Sequence, residues 1–298
     1  MAGRPPKKGP KRPSRAPSRA PSRAPSRAPS RRPAPARTTA RPTGRATAPK
    51  ERGLGGTQVE GRQAVRELLL AGTRKVYEVL LSTEVDRADI VADIVELADE
   101  LRVPVTEVSR SRLDSLSRTD APQGVVARAA ELPESTLEDL CRPVDGRPPF
   151  LLAVDGVTDP GNLGALLRIA ECAGVTGVVL PKHRAVHVTP TVTKAAAGAV
   201  EYLPMALVGG LPTAIEQLRA AEVWVVGLDA AGSTPIHALE LAGDAVCLVL
   251  GAEGRGLGRL VRQRCDLLAS IPLHGRLASL NVASAGAVAC YEVARHRA

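Results

Sequence analysis

The stretch Val249-Leu-Gly-Ala-Glu-Gly-Arg-Gly-Leu-Gly258 decides how this 298-residue chain folds. It closes an apolar run that begins at Val246, and a short apolar run bounded by glycine reads as a buried strand. Four of the eight residues 251–258 are glycine, which demands a loop with unusual dihedrals and close backbone contact. A strand entering such a loop suggests the dinucleotide fingerprint G-x-G-x-x-G, but position 259 is Arg. That fingerprint also belongs to the first strand-to-helix turn, with a ribose-binding acid some 20 residues later. Only 40 residues follow Gly258. The loop closes a sheet instead of opening one, so a nucleotide-dependent oxidoreductase is rejected.

Upstream to Phe150, apolar runs alternate with helix-length segments. Strands are expected at 150–154, 177–180, 203–207, 223–228, 246–250 and 268–273. Helices are expected near 162–173, 190–199, 211–220, 257–264 and 281–296. Near-continuous apolar strands separated by helices mean a parallel sheet covered on both faces, with ligands beyond the carboxyl ends of its strands. Residues 57–132 read as a separate small α/β unit, with helices at 61–70 and 90–101 and strands at 76–81, 103–108 and 124–127. The polar, proline-bearing passage 133–149 is the candidate linker.

The net charge of +9 is unevenly placed. Residues 1–56 hold 12 Arg and 4 Lys against Glu51 alone, while the remainder is mildly acidic. The tail repeats Ser-Arg-Ala-Pro four times from Ser14 to Pro29, and 12 of the 25 prolines precede residue 57. Proline at every fourth position blocks helix, and so little apolar surface cannot support a core. A disordered, partly extended polycation suited to phosphate contacts is expected. Local basic clusters at Arg62, Arg66, Arg74 and Lys75, and at Lys182, His183 and Arg184, would offset the acidic body. Aromatic residues make up 2%, which excludes an RNA surface built mainly on stacked rings. No apolar run of membrane-spanning length is present, and the N-terminal residues lack the apolar core of a secretory signal. Five dispersed Cys and five dispersed His show neither disulfide nor metal-ligand spacing; no metal and a reducing cytoplasm are expected.

Two more segments follow expected strand ends. In Asp159-Pro-Gly-Asn-Leu-Gly-Ala-Leu-Leu-Arg168, Asn162 stands where a helix N-cap belongs, and Gly164 and Arg168 share one helix face. Taken alone, Asn162 fits a plain cap and Arg168 a surface ion pair with Glu171. In Ile271-Pro-Leu-His-Gly-Arg-Leu-Ala-Ser-Leu-Asn-Val-Ala-Ser-Ala-Gly-Ala287, Ser279-Leu-Asn281 opens a helix rich in small residues, and Ser279 taken alone fits a cap. Three such segments at strand ends of one domain point to one site.

The ordered set N-L-G-x-x-x-R, G-A-E-G-R-G-L and I-P-L-x-G-x-x-x-S-L-N-V-A resembles the three motifs of the SpoU-type (TrmH-like) RNA 2′-O-ribose methyltransferases. The resemblance covers roughly 150–296 and includes Thr193-Lys-Ala-Ala-Ala-Gly-Ala-Val-Glu-Tyr-Leu-Pro204. Residues 59–130, with Val59-Glu-Gly-Arg-Gln-Ala-Val65 and Gln123-Gly-Val-Val-Ala127, look like the L30e-like substrate-binding domain of that family. The subgroup most similar methylates a guanosine of 23S ribosomal RNA; Ala121-Pro122 before Gln123 departs from its usual pattern. The resemblance implies a homodimeric, trefoil-knotted α/β domain that binds S-adenosylmethionine. Carried over position by position, it assigns Gly251, Ile271, Leu273 and Leu280 to the cofactor, with Glu253 among them as a polar orienter or an interface group. It gives the reaction to Arg168, with Asn162, Ser279 and Asn281 orienting it and the ribose. A guanidinium does not deprotonate in proteins, so Arg168 is expected to lower the hydroxyl's pKa by its charge and hold a phosphate. The motifs leave open a tRNA or antibiotic-resistance methyltransferase, and a non-catalytic RNA-binding factor on the same fold.

Overall fold

The computed structural model describes residues 53–86, 88–183 and 187–297. The basic tail expected over 1–56 therefore lies outside the described residues up to position 52, as does Arg184.

The C-terminal part is a seven-stranded sheet in the order β7-β6-β5-β10-β8-β11-β9. Its strands are β5 (Phe150–Asp155), β6 (Gly177–Pro181), β7 (Met205–Val208), β8 (Trp224–Leu228), β9 (Thr234–Pro235), β10 (Val246–Gly251) and β11 (Leu267–Ser270). Every neighbouring pair runs parallel. Val246 to Leu250 is buried throughout because β10 lies at the centre, between β5 and β8, and is covered on both faces. On one face pack α5 (Pro160–Cys172), α6 (Pro190–Ala195) and α9 (Val282–Arg295), around Leu152, Leu166, Leu248 and Cys290. On the other pack α7 (Leu211–Ala220) and α8 (Arg259–Arg264), around Leu151, Ile215, Cys247 and Val261.

Local chemistry sets the helix starts, and it corrects two expectations. The N-cap of α5 is Asp159, not Asn162: its carboxylate accepts the Asn162 backbone N–H at 2.7 Å, and Pro160 occupies the first turn. The N-cap of α9 is Asn281, not Ser279, its side-chain oxygen accepting from Ala283 N (2.9 Å) and Ser284 N (3.3 Å). Both side-chain amides are thereby positioned by helix ends. The helix expected over 190–199 stops at Ala195, because Ala197 (φ 51°) and Gly198 (φ 88°) turn left-handed before a 3₁₀ turn at Ala199–Glu201. The last strand ends at Ser270, so Ile271 and Leu273 stand in a loop.

The small unit is a four-stranded mixed sheet, β1-β4-β2-β3. It comprises β1 (Gln58–Glu60), β2 (Val76–Ser82), β3 (Val105–Val108) and β4 (Val125–Ala129), with α1 (Arg62–Ala71), α2 (Asp89–Glu100) and α3 (Arg110–Leu116). Strand β1 and helix α3 are additions to the sequence reading. Residues 53–56, expected in the tail, are folded: Leu54 is buried and its carbonyl accepts the Val188 N–H at 3.0 Å. Within the expected linker, α4 (Leu137–Leu140) forms a turn with a full capping box, and Leu140 is buried against Gly177.

Two glycines let helices meet closely. A Cβ on Gly164 would lie 2.5 Å from the Ala195 Cβ and 2.7 Å from the Val192 carbonyl, which is backbone and cannot swing aside. One on Gly286 would meet only the end of the Leu166 side chain, at 2.4 Å, and Leu250. Gly164→Ala should therefore cost about 1–3 kcal/mol despite alanine's better helix propensity. Gly286→Ala should cost less. Urea unfolding of the two variants checks this; equal midpoints would contradict the tight α5–α6 approach.

Candidate active site

The carboxyl ends of β8, β10 and β11 open into a cleft of about 440 Å³. That is within the range of small-molecule sites. All five residues expected at the cofactor, Gly251, Glu253, Ile271, Leu273 and Leu280, line it, and so does Ser279. Leu273 and Leu280 are 39% and 42% exposed, an apolar wall turned to an open space. Gly251 is glycine for a reason internal to the protein. The loop folds back in an Ala252–Gly256 bridge, and a Cβ on Gly251 would lie 2.2 Å from the Gly256 carbonyl carbon. The loop's far end is held where the Gly258 N–H donates to the Asp155 carboxylate at 2.6 Å.

At the mouth, the three motif segments are joined by their side chains. Asn162 Nδ2 donates to Glu253 Oε1 at 3.0 Å, Asn281 Nδ2 donates to the same oxygen at 2.6 Å, and Asn281 Nδ2 also reaches Asn162 Oδ1 at 2.9 Å. The carboxylate thus orients two amides: Asn162 keeps one N–H and one lone pair for a ligand, whereas both N–H bonds and both lone pairs of Asn281 are engaged. Glu253 lines the cleft and accepts from both amides.

Arg168 lies elsewhere. It is exposed on α5, 1.7 turns beyond Asn162 at about 3.6 residues per turn, and is not among the residues lining the cleft. Among the described residues no ion pair links it to Glu171. Two charged lining residues were given no role by the sequence: Arg255, whose Nη2 would lie 3.1 Å from a Cβ on Gly156, and Asp229, directly after β8. Asp229 is engaged, its carboxylate bonded to Arg262 Nε at 2.8 Å and to the Ala231 N–H at 2.8 Å. Its signal was its place directly after the strand expected at 223–228, but only the sheet order, which sets β8 beside β10, brings that strand end to the cleft.

The cysteines offer no nucleophile. Burial pushes the Cys290 thiol up to about 12, and burial with Asp266 nearby pushes Cys265 up to about 12, so both stay protonated at neutral pH. Among the described residues no group of three or more His, Cys, Asp or Glu is placed to hold a metal ion, and no helix is long and apolar enough to cross a membrane. A larger groove of about 700 Å³ lies on the small unit, between Val91, Val95 and Val103, but Glu96 and Asp99 make it unsuited to an anionic chain.

The sequence matches the SpoU rRNA Methylase family over residues 149–291 and the family described as RNA 2′-O ribose methyltransferase substrate binding over 58–135. It is 42% identical over 242 residues to the 23S rRNA (guanosine-2′-O-)-methyltransferase RlmB of Coxiella burnetii, covering 80% of this chain and 95% of that protein. The chain belongs to the SpoU methyltransferase family. Solved members share its fold. The SpoU methyltransferase AviRb from Streptomyces viridochromogenes, in complex with AdoMet, superimposes with a TM-score of 0.69 at 26% identity, covering 80% of this chain and 89% of that one. The AdoMet-bound rRNA methyltransferase from Sinorhizobium meliloti gives 0.65 at 28% identity, covering 80% and 87%. The substrate-binding match precedes the methylase match along the chain.

Asn281 has two separable duties, capping α9 and bridging to Asn162 and Glu253. Asn281→Ala should lose both, lowering stability by about 1 kcal/mol. Asn281→Ser should keep the cap and lose the bridge, restoring the melting temperature but not cofactor affinity. Thermal melts and calorimetry of both variants separate the duties; an alanine variant as stable as the parent would contradict the cap.

Proposed function

We propose that this protein transfers a methyl group from S-adenosylmethionine to the ribose 2′-hydroxyl of a guanosine in 23S rRNA, acting as a cytoplasmic homodimer. The observation that carries this reading is the Asn162–Glu253–Asn281 triangle at the mouth of the cleft, because it joins the three motif segments around one opening.

The cleft suits the cofactor's chemistry. Ile271, Leu273 and Leu280 supply apolar contact for adenine, and the 251–256 backbone supplies amide and carbonyl groups for polar recognition. Bound there, S-adenosylmethionine supplies a methyl group already activated as a sulfonium. The protein's task is alignment of oxygen, carbon and sulfur. Asn162, with an N–H and a lone pair to spare, orients the ribose at the mouth, Asn281 holds Asn162 in place, and Ser279 stands beside them. Arg168, exposed on α5, acts through the RNA: its guanidinium holds the phosphate next to the target and lowers the pKa of the 2′-hydroxyl by its charge. No metal enters this scheme.

Residues 57–132 present the RNA, and residues 150–298 carry out the transfer. The basic tail adds phosphate contacts without sequence preference. An exposed stripe on α9, Ser284, Val288 and Tyr291 at helical spacing, supports self-association; Val288 and Tyr291 are 44% and 52% exposed. The position of β10 between β5 and β8, which precede it in sequence, supports the knotted path.

The test is Arg168→Ala in a single-turnover assay on 23S rRNA, beside calorimetry with S-adenosylmethionine. Cofactor affinity should be retained, while turnover falls on the order of a hundredfold or more, as when a single charge-stabilising donor is removed. Unchanged turnover would remove Arg168 from the mechanism. Parent enzyme that methylates tRNA and leaves 23S rRNA untouched would overturn the substrate.

A further inference from the structure

The segment 193–204 contributes nothing to the cleft, yet it forms the seam between the two units. Arg74, just beyond α1, and Glu201, in the 3₁₀ turn, meet there with side chains 3% and 0% exposed. Arg74 Nε donates to Glu201 Oε2 at 2.8 Å and Nη2 to Oε1 at 2.7 Å, a bidentate pair. Its Nη1 donates to the Gly56 carbonyl at 2.6 Å and also to the Ala130 carbonyl. Gly56 lies just before β1 and Ala130 just after β4, on the two segments by which the chain enters and leaves the small unit. The entering segment is itself tied to the catalytic unit, the Gly56 N–H donating to the Val188 carbonyl at 2.9 Å. One buried guanidinium therefore holds both crossings and the catalytic unit at once.

The rest of the seam reinforces it. Tyr202 OH donates to Glu67 Oε2 on α1 at 2.7 Å; burial, and then that carboxylate, push its pKa up to about 12, so the phenol remains a donor. Lys194 donates to the Ala121 carbonyl, in the loop leading to β4. Gly198 is left-handed and has no room for a side chain, since a Cβ would stand 2.4 Å from the Glu67 Cβ. A buried ion pair adds little stability compared with apolar packing, but breaking it leaves an uncompensated charge, so it selects one arrangement over its neighbours.

We propose that the Arg74–Glu201 pair is a positioning latch that fixes the RNA-presenting unit at one distance and angle from the methyl-transfer cleft, and so determines which nucleotide of a bound RNA is methylated. This rests on the function proposed above. With the latch intact, an RNA gripped by the small unit delivers one ribose to Asn162. With it broken, the small unit swings about residues 53–57 and 129–134, and the target ribose loses register.

The experiment compares the full-length parent with Glu201→Gln, which breaks the bidentate pair, and with Tyr202→Phe, a milder loss at the same seam. Three readouts are taken: amide hydrogen exchange, S-adenosylmethionine affinity, and the nucleotide-resolved map of ribose methylation on rRNA. Glu201→Gln should speed exchange at Gly56 and Val188, leave cofactor affinity unchanged, lower kcat/KM for RNA on the order of tenfold to a hundredfold, and spread methylation to adjacent nucleotides. Tyr202→Phe should shift the same readouts the same way by less. Faster seam exchange with an unchanged methylation map at parental kcat/KM would overturn the proposal. If Glu201→Gln does not fold, Tyr202→Phe decides by the same criteria. A parent that methylates no RNA would sink the function proposed above, while the exchange data would still report whether the pair holds the seam.

Discussion

A single carboxylate oxygen, Glu253 Oε1, receives one amide from the start of α5 and another from the start of α9. The two amides stand 119 residues apart in the sequence, Asn162 in the first turn of α5 and Asn281 at the cap of α9, and the loop carrying Glu253 comes from the end of the central strand. The rest of the structure serves this junction. Parallel order brings the ends of β5 and β10 side by side, with Gly251 opposite Asp155. Asp159 and Asn281, as helix caps, aim the amides. Glycine at 251 lets the loop fold over itself tightly enough to turn Glu253 toward them.

The sheet was legible because its strands are uninterrupted apolar runs. A strand covered on both faces has no polar face to confuse the pattern, and the expected and observed boundaries at Phe150, Gly177 and Val246 agree. The strand order was not legible. That β10 lies between β5 and β8 follows from how the chain closes, which no local spacing records. The caps were misplaced for a similar reason. Asn162 and Asp159 are both good N-cap residues, and only the Pro-Gly pair between them, which extends the helix by a turn, selects Asp159. The site was legible as three motifs but not as a geometry: five expected cofactor residues share one cleft, whereas Arg168 lies outside its lining and Asp229 joins it from a strand end that no motif marked.

The small unit shows the limits of reading composition. Gly53 to Gly56 follow a polycationic tail and look like its continuation, but Leu54 is an apolar anchor in the core of the catalytic unit. Arg74, which the charge pattern places in a basic RNA-facing cluster, is a buried interior group held by Glu201 and two carbonyls. Its function is decided by partners 127 residues away and at both ends of its own unit. Charge counted along a sequence cannot distinguish a solvated lysine or arginine from one turned inward.

The central claim is that the cleft between the 251–256 loop and the 271–280 loop is the methyl donor's pocket. A crystal structure of the protein grown with S-adenosylmethionine tests it most directly. The account predicts density for the adenosine against Ile271, Leu273 and Leu280, with the sulfonium end toward Asn162 and Asn281. Cofactor density in the groove beside Val91 and Val95, or anywhere away from the Asn162–Glu253–Asn281 junction, would contradict it.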